Sequence, residues 1–562
     1  MLYQLYESQR TLMEPFVDFA QAAAKLYGSS LSPMGQTPLS QRVSAGYSLM
    51  YRLGKDYERP AFDIHQVEVG EKGVSLAIHE RIELDKPFCE LRRFKRFTDD
   101  SDTLTKLKNQ PAVLIVAPLS GHYSTLLRDT VKTMLKDHKV YITDWKNARN
   151  VPLSDGAFHL DDYVNYVQEF IRHLQGKYGN CHVVSVCQPT VPVFAAISLM
   201  ASRGEKTPLS MVMMGGPIDA RLSPTSVNNL ATTKPFEWFE NNVIYRVPAS
   251  FPGKGRRVYP GFLQHTGFVA MNPDRHANSH YDYFKDLIKG DGASTEAHRK
   301  FYDEYNAVLD MDADYYLETI KTVFQDFKLV NGTWDVMSPE GKLERVKPGD
   351  ITTTAVMTVE GELDDISGSG QTRAALDMCS GVATKQKTHL EAKGAGHYGI
   401  FSGRRWRDVV YPAVTDFILA HNSPSPQAGE KAAAKKLAKL VQDASPAQTP
   451  NAPAALASPR TPETGQATAK PRNKKSTAKL KPAAVAAMPA AEPVPSALEK
   501  IAIRPVLKAV NNAKPANSPP AESSVPAALA AATTLGDVAQ TASADAPGAI
   551  AAVPTPDKTS AA

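Results

Sequence analysis

The pattern of apolar and polar positions separates the first part of the chain into helical and strand-like segments. Residues 1–55 carry apolar residues at helical spacing, which predicts helices. One face of the first predicted helix holds Leu12, Phe16, Phe19 and Ala23. Residues 65–84 alternate between apolar and polar and turn between Gly70 and Gly73, which predicts a β-hairpin. The stretch CELRRFKRF that follows favours one more strand.

A different rhythm begins with AVLIVAP at 112–118, a continuous apolar run that is typical of a strand buried on both faces. Strands and amphipathic helices then alternate, which predicts a parallel sheet covered by helices. The predicted order is strand 112–118, helix 124–137, strand 139–145, helix 160–178, strand 182–186, a helix from Thr190, and strand 209–216.

This alternation stops near residue 221. Residues 221–349 contain many aromatic residues but few buried-strand runs, and the sheet pattern returns at 352–366 and 386–401 before a last helix. We therefore predict an α/β fold with an inserted helical cap. The predicted units are an N-terminal helical and hairpin region 1–105, a core in two parts 106–220 and 350–422, the cap 221–349, and a tail 423–562.

Composition distinguishes the tail from the rest of the chain. Residues 423–562 are rich in Ala, Pro and Lys, contain no aromatic residue, and carry 16 Lys and Arg against 9 Asp and Glu. The tail therefore has a net charge of +7, which leaves −2 for residues 1–422 because the whole chain carries +5. Such a segment buries too little apolar surface to offset its ordering entropy, so we expect disorder. Its charge is spread thinly, which disfavours nucleic-acid binding.

Four cysteines, without a C-x-x-C pair or zinc spacing, fit a reducing compartment. The N-terminus lacks the apolar core of a signal peptide, and no run of 18 apolar residues could span a membrane. We expect a cytoplasmic protein with no metal or organic cofactor. Composition leaves the oligomeric state open.

The candidate chemistry lies in HVVSVCQPTVPV, residues 182–193, where an apolar strand runs into a helix through Cys187. This layout resembles a nucleophile elbow, although Ser185 and Pro189 stand where the usual motif has glycine. Two further groups follow strands later in the chain, an acid at Asp364 and a base at His397. The order nucleophile, acid, histidine is that of α/β-hydrolases.

In this arrangement His397 takes the Cys187 proton, and the carboxylate orients the imidazole. The neighbouring Asp365 is an alternative acid; Asp364 is favoured because it occupies the Asp of G-x-x-D-x-I. The backbone N–H of Gln188 is expected in an oxyanion hole. A second donor is expected from the loop PLSGHY, at Ser120 or Leu119.

A structural explanation competes for each of these residues. A lone cysteine after a strand is more often a core residue than a nucleophile. A solvated loop histidine is the corresponding alternative for His397. His122 and His159 are further histidines, expected to be structural or to lie beside the oxyanion. The ordered combination of Cys187 with an acid and a histidine on suitable elements favours catalysis.

Several stretches carry a resemblance to a known family: SVCQPT, VMMGGPIDAR, FLQHTGFVAMNPDRH, VEGELDDISGSGQT and KGAGHYGIFSGRRW. Residues 1–422 resemble the intracellular polyhydroxyalkanoate depolymerases, which degrade polyhydroxybutyrate stored in bacterial granules. The resemblance implies an α/β-hydrolase fold, a granule-bound polyester substrate and a triad at Cys187, Asp364 and His397. Polyester synthases also use an elbow cysteine, but theirs normally keeps the flanking glycines.

The resemblance leads us to expect an esterase that cleaves poly(3-hydroxybutyrate) through a thioester and releases 3-hydroxybutyrate oligomers or monomer. Coenzyme A could intercept that thioester, so hydrolysis and thiolysis both stay open. So do the chain-length preference and the choice between endo and exo cleavage. A synthase-like acyltransferase is the rival enzyme. A non-catalytic protein of the granule surface is the rival from another class.

Overall fold

The computed structural model describes residues 2–29, 35, 37–70, 73–271 and 273–422. The predicted disorder of the tail 423–562 lies outside these residues. No helix in this part of the chain is long and apolar enough to cross a bilayer.

A sheet of nine strands forms the centre of the fold. Its strands, in chain order, are β1 (Gln66–Val69), β2 (Val74–Asp85), β3 (Cys89–Phe97), β4 (Ala112–Val116), β5 (Lys139–Trp145), β6 (His182–Val186), β7 (Ser210–Met214), β13 (Ala355–Gly361) and β14 (Lys387–Ala392). They lie side by side in the order β1-β2-β3-β5-β4-β6-β7-β13-β14. The strands between β7 and β13 lie outside this sheet.

The six strands from β5 to β14 run parallel, as the continuous apolar runs predicted. Every residue of β4, β6, β7 and β13 is buried. The hairpin β1–β2 is confirmed at its predicted place, but it joins the main sheet because β3 pairs antiparallel with β5. The main sheet thus crosses the predicted boundary at residue 105, and the division into units stays a prediction.

Helices cover both faces of the sheet. Outside the insertion they are α1 (Leu2–Gly28), α2 (Pro38–Gly54), α3 (Ser101–Asn109), α4 (Arg128–Met134), α5 (Leu160–Tyr178), α6 (Thr190–Ser202), α13 (Ala374–Met378), α14 (Gly403–Arg405) and α15 (Tyr411–Ala420). On one face, α5 and α6 pack over Leu114 and Val183. On the other, α4 and α15 pack over Ile115 and Val184. Alternate residues of the same buried strand thus serve two cores.

The insertion between β7 and β13 is largely helical, as predicted. Its helices are α7 (Ser226–Thr233), α8 (Phe236–Val243), α9 (Gly261–Met271), α10 (Pro273–Lys289), α11 (Gly292–Tyr305) and α12 (Ala313–Thr319). A wide π-helical turn, Ile320–Gln325, continues α12. Short strands that the sequence pattern did not predict are β8 (Tyr245–Arg246), β9 (Arg257–Tyr259), β10 (Met311–Asp312), β11 (Asp335–Met337) and β12 (Leu343–Arg345). This topology is that of an α/β-hydrolase, which confirms the predicted fold class.

Candidate active site

Cys187 occupies a sharp turn between strand β6 and helix α6. Its φ is +67°, in the left-handed region that side chains other than glycine rarely adopt. The turn is held by its backbone N–H, which donates to the Met214 carbonyl at 2.7 Å, and by its carbonyl, which accepts from the Thr190 N–H at 3.1 Å. Backbone strain held by the surrounding structure is common at functional sites, and here it directs a half-buried thiol out of the sheet.

The two departures from the usual elbow motif have local explanations. Ser185 is fully buried in β6, where its hydroxyl donates to the Val212 carbonyl at 3.2 Å. Pro189 has φ −57° and lies where helix α6 begins, a position that tolerates a missing N–H. The residue at this turn that has no room for a side chain is instead Gly216, in the neighbouring loop. A Cβ there would lie 1.7 Å from the Thr190 Oγ1.

His397 and Asp364 form a buried pair at the ends of neighbouring strands. The His397 Nδ1 lies 2.8 Å from the Asp364 Oδ2, and both side chains are almost fully buried. The other oxygen, Oδ1, accepts the backbone N–H groups of Ile366 and Ser367, each at 2.9 Å. Asp364 is therefore fixed from both oxygens, whereas the alternative acid Asp365 is exposed.

The surroundings of His397 stabilise positive charge on its imidazole ring. Burial alone would lower the pKa of His397. The Asp364 carboxylate and the adjacent Cys187, which also interacts with the ring through a hydrogen bond, outweigh burial and raise the pKa of His397 well above its usual value. Because Nδ1 is engaged by Asp364, the other ring nitrogen, Nε2, is the one left for exchange with the thiol.

Gly215 leaves the space that the His397 ring occupies. It follows β7 with φ +57°, and a Cβ at this position would lie 2.7 Å from Ile400 Cδ1 and 3.1 Å from His397 Cε1. Neither the left-handed backbone nor the ring would accommodate a larger residue. The prediction of site residues missed this glycine, although the pair GG after an apolar run was the signal that could have indicated it.

The two residues predicted for the oxyanion hole, Gln188 and Ser120, lie in the lining of the same cavity as Cys187. Among the hydrogen bonds of the described residues, none uses the Gln188 backbone N–H. The loop that holds Ser120 is anchored through Leu119, whose carbonyl accepts the Tyr315 hydroxyl at 3.0 Å. Both predicted donors thus belong to segments that reach the cavity next to the thiol.

The cavity in front of Cys187 opens to solvent. Core and insertion both contribute to its walls, which are mostly apolar. The lining consists of Leu119, Ser120, Cys187, Gln188, Gly215, Pro217, Val227, Asn228, Ala231, Met311, Tyr315, Tyr316, Thr319, Ile320, Phe324, Ile366 and Ser367. A cavity with mostly apolar walls suits an uncharged organic chain.

The two further histidines do not line this cavity. His122 is buried, its Nε2 lies 3.2 Å from the Tyr305 carbonyl, and burial lowers its pKa to about 4. His159 precedes helix α5 and pairs with Glu318 at 2.7 Å. In the part of the chain that the structure describes, no cluster of three or more His, Cys, Asp or Glu side chains could hold a metal ion.

Solved structures with similar backbones are distant in sequence. DcsB in complex with a substrate analogue has 15% identity and a TM-score of 0.32, over 62% of this chain and 99% of that one. The monoacylglycerol lipase of Paleococcus ferrophilus has 15% identity and a TM-score of 0.32, over 56% and 97%. The 2-hydroxy-6-oxo-6-phenylhexa-2,4-dienoate hydrolase of Rhodococcus sp. strain RHA1 has 12% identity and a TM-score of 0.30, over 63% and 97%.

No curated protein sequence matches the chain significantly. A family model described as PHB de-polymerase C-terminus does match, over residues 215–422. The matched segment begins at Gly215 beside the His397 ring and includes the insertion, Asp364 and His397, while Cys187 lies before it. The resemblance to the polyhydroxybutyrate depolymerase family is thus supported over residues 215–422, which make up less than half of the chain.

Proposed function

We propose that this chain is a carboxylic ester hydrolase that cleaves stored poly(3-hydroxybutyrate) through an acyl-enzyme on Cys187. The observation that carries the proposal is the constellation of a strained Cys187 beside a buried His397–Asp364 pair, at the edge of an apolar cavity. The family match over residues 215–422 supports the polyester as the substrate class. The enzyme is proposed to act at the surface of polyester granules.

The first half-reaction forms a thioester. The Cys187 Sγ attacks an ester carbonyl of the polymer while its proton passes to His397 Nε2. The tetrahedral intermediate collapses, the ester C–O bond breaks, and His397 returns the proton to the departing alcohol end of the chain. Asp364 stabilises the imidazolium that exists between these transfers, as the raised pKa of His397 indicates.

The second half-reaction restores the thiol. Water attacks the thioester carbonyl and gives a proton to His397, which passes it to the leaving Cys187 thiolate. The products are a free carboxylic acid end, as 3-hydroxybutyrate oligomer or monomer, and the starting enzyme. With coenzyme A in place of water, the same step would give an acyl-CoA, so the two acceptors are distinguished by experiment.

Two hydrogen-bond donors are proposed to stabilise the negative charge on the oxygen of the tetrahedral intermediate. The backbone N–H of Gln188 is the first proposed donor, because it lies at the start of α6 and makes no bond among the described residues. The N–H of Ser120 is the second, in the loop that follows β4. Backbone donors in a largely apolar cavity are preorganised, which makes them effective in stabilising developing charge.

The test is release of 3-hydroxybutyrate from amorphous polyhydroxybutyrate granules, for the unmodified protein and Cys187→Ala, with granule binding measured in parallel. Release that disappears in Cys187→Ala while binding persists supports the proposal. Equal release by both proteins would show that the nucleophile lies elsewhere. Binding without release by either protein would favour the non-catalytic granule protein.

Two further arms separate the related reactions. Coenzyme A added to the granule assay tests thiolysis, which would appear as 3-hydroxybutyryl-CoA. 3-Hydroxybutyryl-CoA supplied without polymer tests the synthase reaction, which would appear as new polymer. The proposal predicts free acid in the first arm and no polymer in the second.

A further inference from the structure

Three buried polar groups in the wall of the cavity in front of Cys187 have no hydrogen-bond partner among the described residues. They are the amide Nδ2 of Asn228, the hydroxyl of Tyr316 and the hydroxyl of Ser367. Native proteins pair nearly all of their buried polar groups, because an unpaired one costs free energy. Three such groups in one largely apolar wall therefore call for a partner, which a molecule bound in the cavity can supply.

The orientation of the Asn228 amide is fixed by the donors that meet its oxygen. The Oδ1 accepts the backbone N–H of Thr225 at 2.8 Å and the Nε2 of Gln371 at 3.0 Å. A flipped amide would set its NH2 group against the Thr225 N–H, donor against donor. The NH2 group of Asn228 is therefore a donor whose partner has to be an acceptor atom.

The lining of the cavity defines what kind of acceptor fits. Among the described residues that line it, none is Lys, Arg, His, Asp or Glu. A carboxylate or phosphate would lie there without a counter-ion, and a buried charge without one is unfavourable. A plain alkyl chain would displace water from the Asn228 NH2 without replacing its hydrogen bond, which loses affinity. An uncharged chain that carries oxygen atoms meets both conditions, and a polyester has an ester group in every repeat unit.

These polar groups are tied to the loop of the proposed catalytic acid. Ser367 belongs to that loop, and its backbone N–H donates to the Asp364 Oδ1 at 2.9 Å. The insertion is joined to the same loop beside Asn228, because the Thr225 hydroxyl donates to the Ile366 carbonyl at 3.0 Å. A chain that is held by Asn228 is therefore held relative to the segment that carries the acid of the triad.

We propose that the Asn228 NH2 group donates to an ester oxygen of a repeat unit next to the one being cleaved, an inference that rests on the proposed function. The hydroxyls of Tyr316 and Ser367 offer further hydrogen bonds to the same chain. Asn228 is thus a specificity-determining residue. It makes the cavity select a chain with oxygen atoms beyond the scissile ester over a plain acyl chain.

The test measures kcat/KM for two soluble esters, the methyl ester of a linear 3-hydroxybutyrate trimer and p-nitrophenyl butyrate. The trimer ester has ester oxygens beyond the bond that is cleaved, whereas p-nitrophenyl butyrate has none, and methylation removes the charge of the free acid. The readout is the ratio of the two kcat/KM values within one protein. A merely structural role of Asn228 would lower both values together and leave this ratio unchanged.

Two substitutions remove the NH2 group, and one control keeps it. Asn228→Asp retains an oxygen for the donors of Thr225 and Gln371, so the start of α7 stays capped, and Asn228→Leu is the uncharged counterpart. The control is Thr319→Val. Thr319 lines the same cavity and is similarly buried, with 7% exposed against 3% for Asn228, but its hydroxyl already donates to the Tyr315 carbonyl at 2.8 Å. Melting temperatures verify that each variant is folded.

We expect the ratio of trimer ester to butyrate ester to fall by about tenfold in Asn228→Leu, because one hydrogen bond to the chain is lost. It should fall at least as far in Asn228→Asp, where a carboxylate would face the ester oxygen. Thr319→Val should keep the ratio of the unmodified protein. An unchanged ratio in folded Asn228→Asp would overturn the proposal. An equal fall in Thr319→Val would also overturn it, since the selectivity would then come from the shape of the cavity.

A binding measurement separates this inference from catalysis. The affinity of the trimer ester for Cys187→Ala is measured by calorimetry with and without Asn228→Asp, which needs no turnover. If Asn228→Asp weakens this binding while the unmodified protein cleaves no trimer, the inference about Asn228 stands and the proposed function fails. If cleavage depends on Cys187 while ratio and affinity ignore Asn228, the proposed function stands and the inference fails.

Discussion

Replacement of Gly215 by alanine tests the geometry proposed for the catalytic histidine. The new Cβ would lie 3.1 Å from His397 Cε1 and 2.7 Å from Ile400 Cδ1, in a backbone with φ +57°. The left-handed backbone costs an L-residue about 1–2 kcal/mol. Overpacking of the buried ring and Ile400 adds about 1–3 kcal/mol. We therefore expect Gly215→Ala to lower the free energy of unfolding by about 2–5 kcal/mol.

The effect on activity should be larger than the loss of folded protein explains. Displacement of a catalytic group by a fraction of an ångström to about 1 Å costs up to about 10²-fold in rate. A matched control is Gly332→Ala, because Gly332 has φ +64° but a Cβ there would meet nothing within 4 Å. This control should lose only the backbone cost and keep full turnover on granules.

A second substitution separates the two contacts of Gly215. Ile400→Val removes the Cδ1 atom that a Cβ would meet at 2.7 Å, but leaves the contact with His397. In Gly215→Ala/Ile400→Val we expect part of the stability to return while turnover stays low. Stability is measured by urea unfolding, and turnover with p-nitrophenyl butyrate. Full activity in folded Gly215→Ala would refute the claim that the His397 ring needs the space left by this glycine.

Four other predictions concern the acid, the elbow and the oxyanion. Asp364→Asn should lower turnover by about 10⁴-fold, and Asp365→Asn should leave it unchanged; a reversed pattern in granule assays would assign the acid to Asp365. Because the pKa of His397 is raised in the folded protein, its protonation stabilises the fold fully below about pH 6.5 and progressively less as the pH rises through that raised pKa. The loss of stability caused by Asp364→Asn, measured by urea unfolding, should therefore shrink from about pH 6 to high pH, by about 1.4 kcal/mol for each unit of pKa difference that is lost. A loss of stability that grows with pH would contradict this. Ser185→Gly, which restores the usual motif residue, should lower the melting temperature without raising turnover, because the hydroxyl bonds to a strand carbonyl. Ser120→Ala should keep normal turnover, since the proposed donor is the backbone N–H, and a large loss would implicate the hydroxyl.

The apolar pattern predicted the parallel part of the sheet because strands buried on both faces leave a continuous signal. The runs at 112–118 and 182–186 correspond to β4 and β6. The pairing of β3 with β5 could not be predicted in this way, since β3 is mixed in composition and its partner lies far along the chain. The short strands of the insertion, such as β9, are too brief to leave a periodic signal.

For the site, too, contacts between residues far apart in the chain could not be predicted. Cys187, Asp364 and His397 each follow a strand, so their order in the chain was enough to place them at one edge of the sheet. The role of Gly215 depends on a contact with His397, which lies far along the chain, and one sequence does not reveal such a contact. Helical spacing predicted the shared face of Leu12 and Phe16 but gave no indication that it points outward, because periodicity does not say what covers a face.

The most direct test of the central claim is detection of the acyl-enzyme itself. The protein is mixed with a soluble 3-hydroxybutyrate oligomer, quenched with acid during turnover, digested, and analysed by mass spectrometry. The account predicts a 3-hydroxybutyryl group on the peptide that contains Cys187, bound as a hydroxylamine-sensitive thioester. An acyl group on another residue, or turnover that persists in Cys187→Ala, would contradict it.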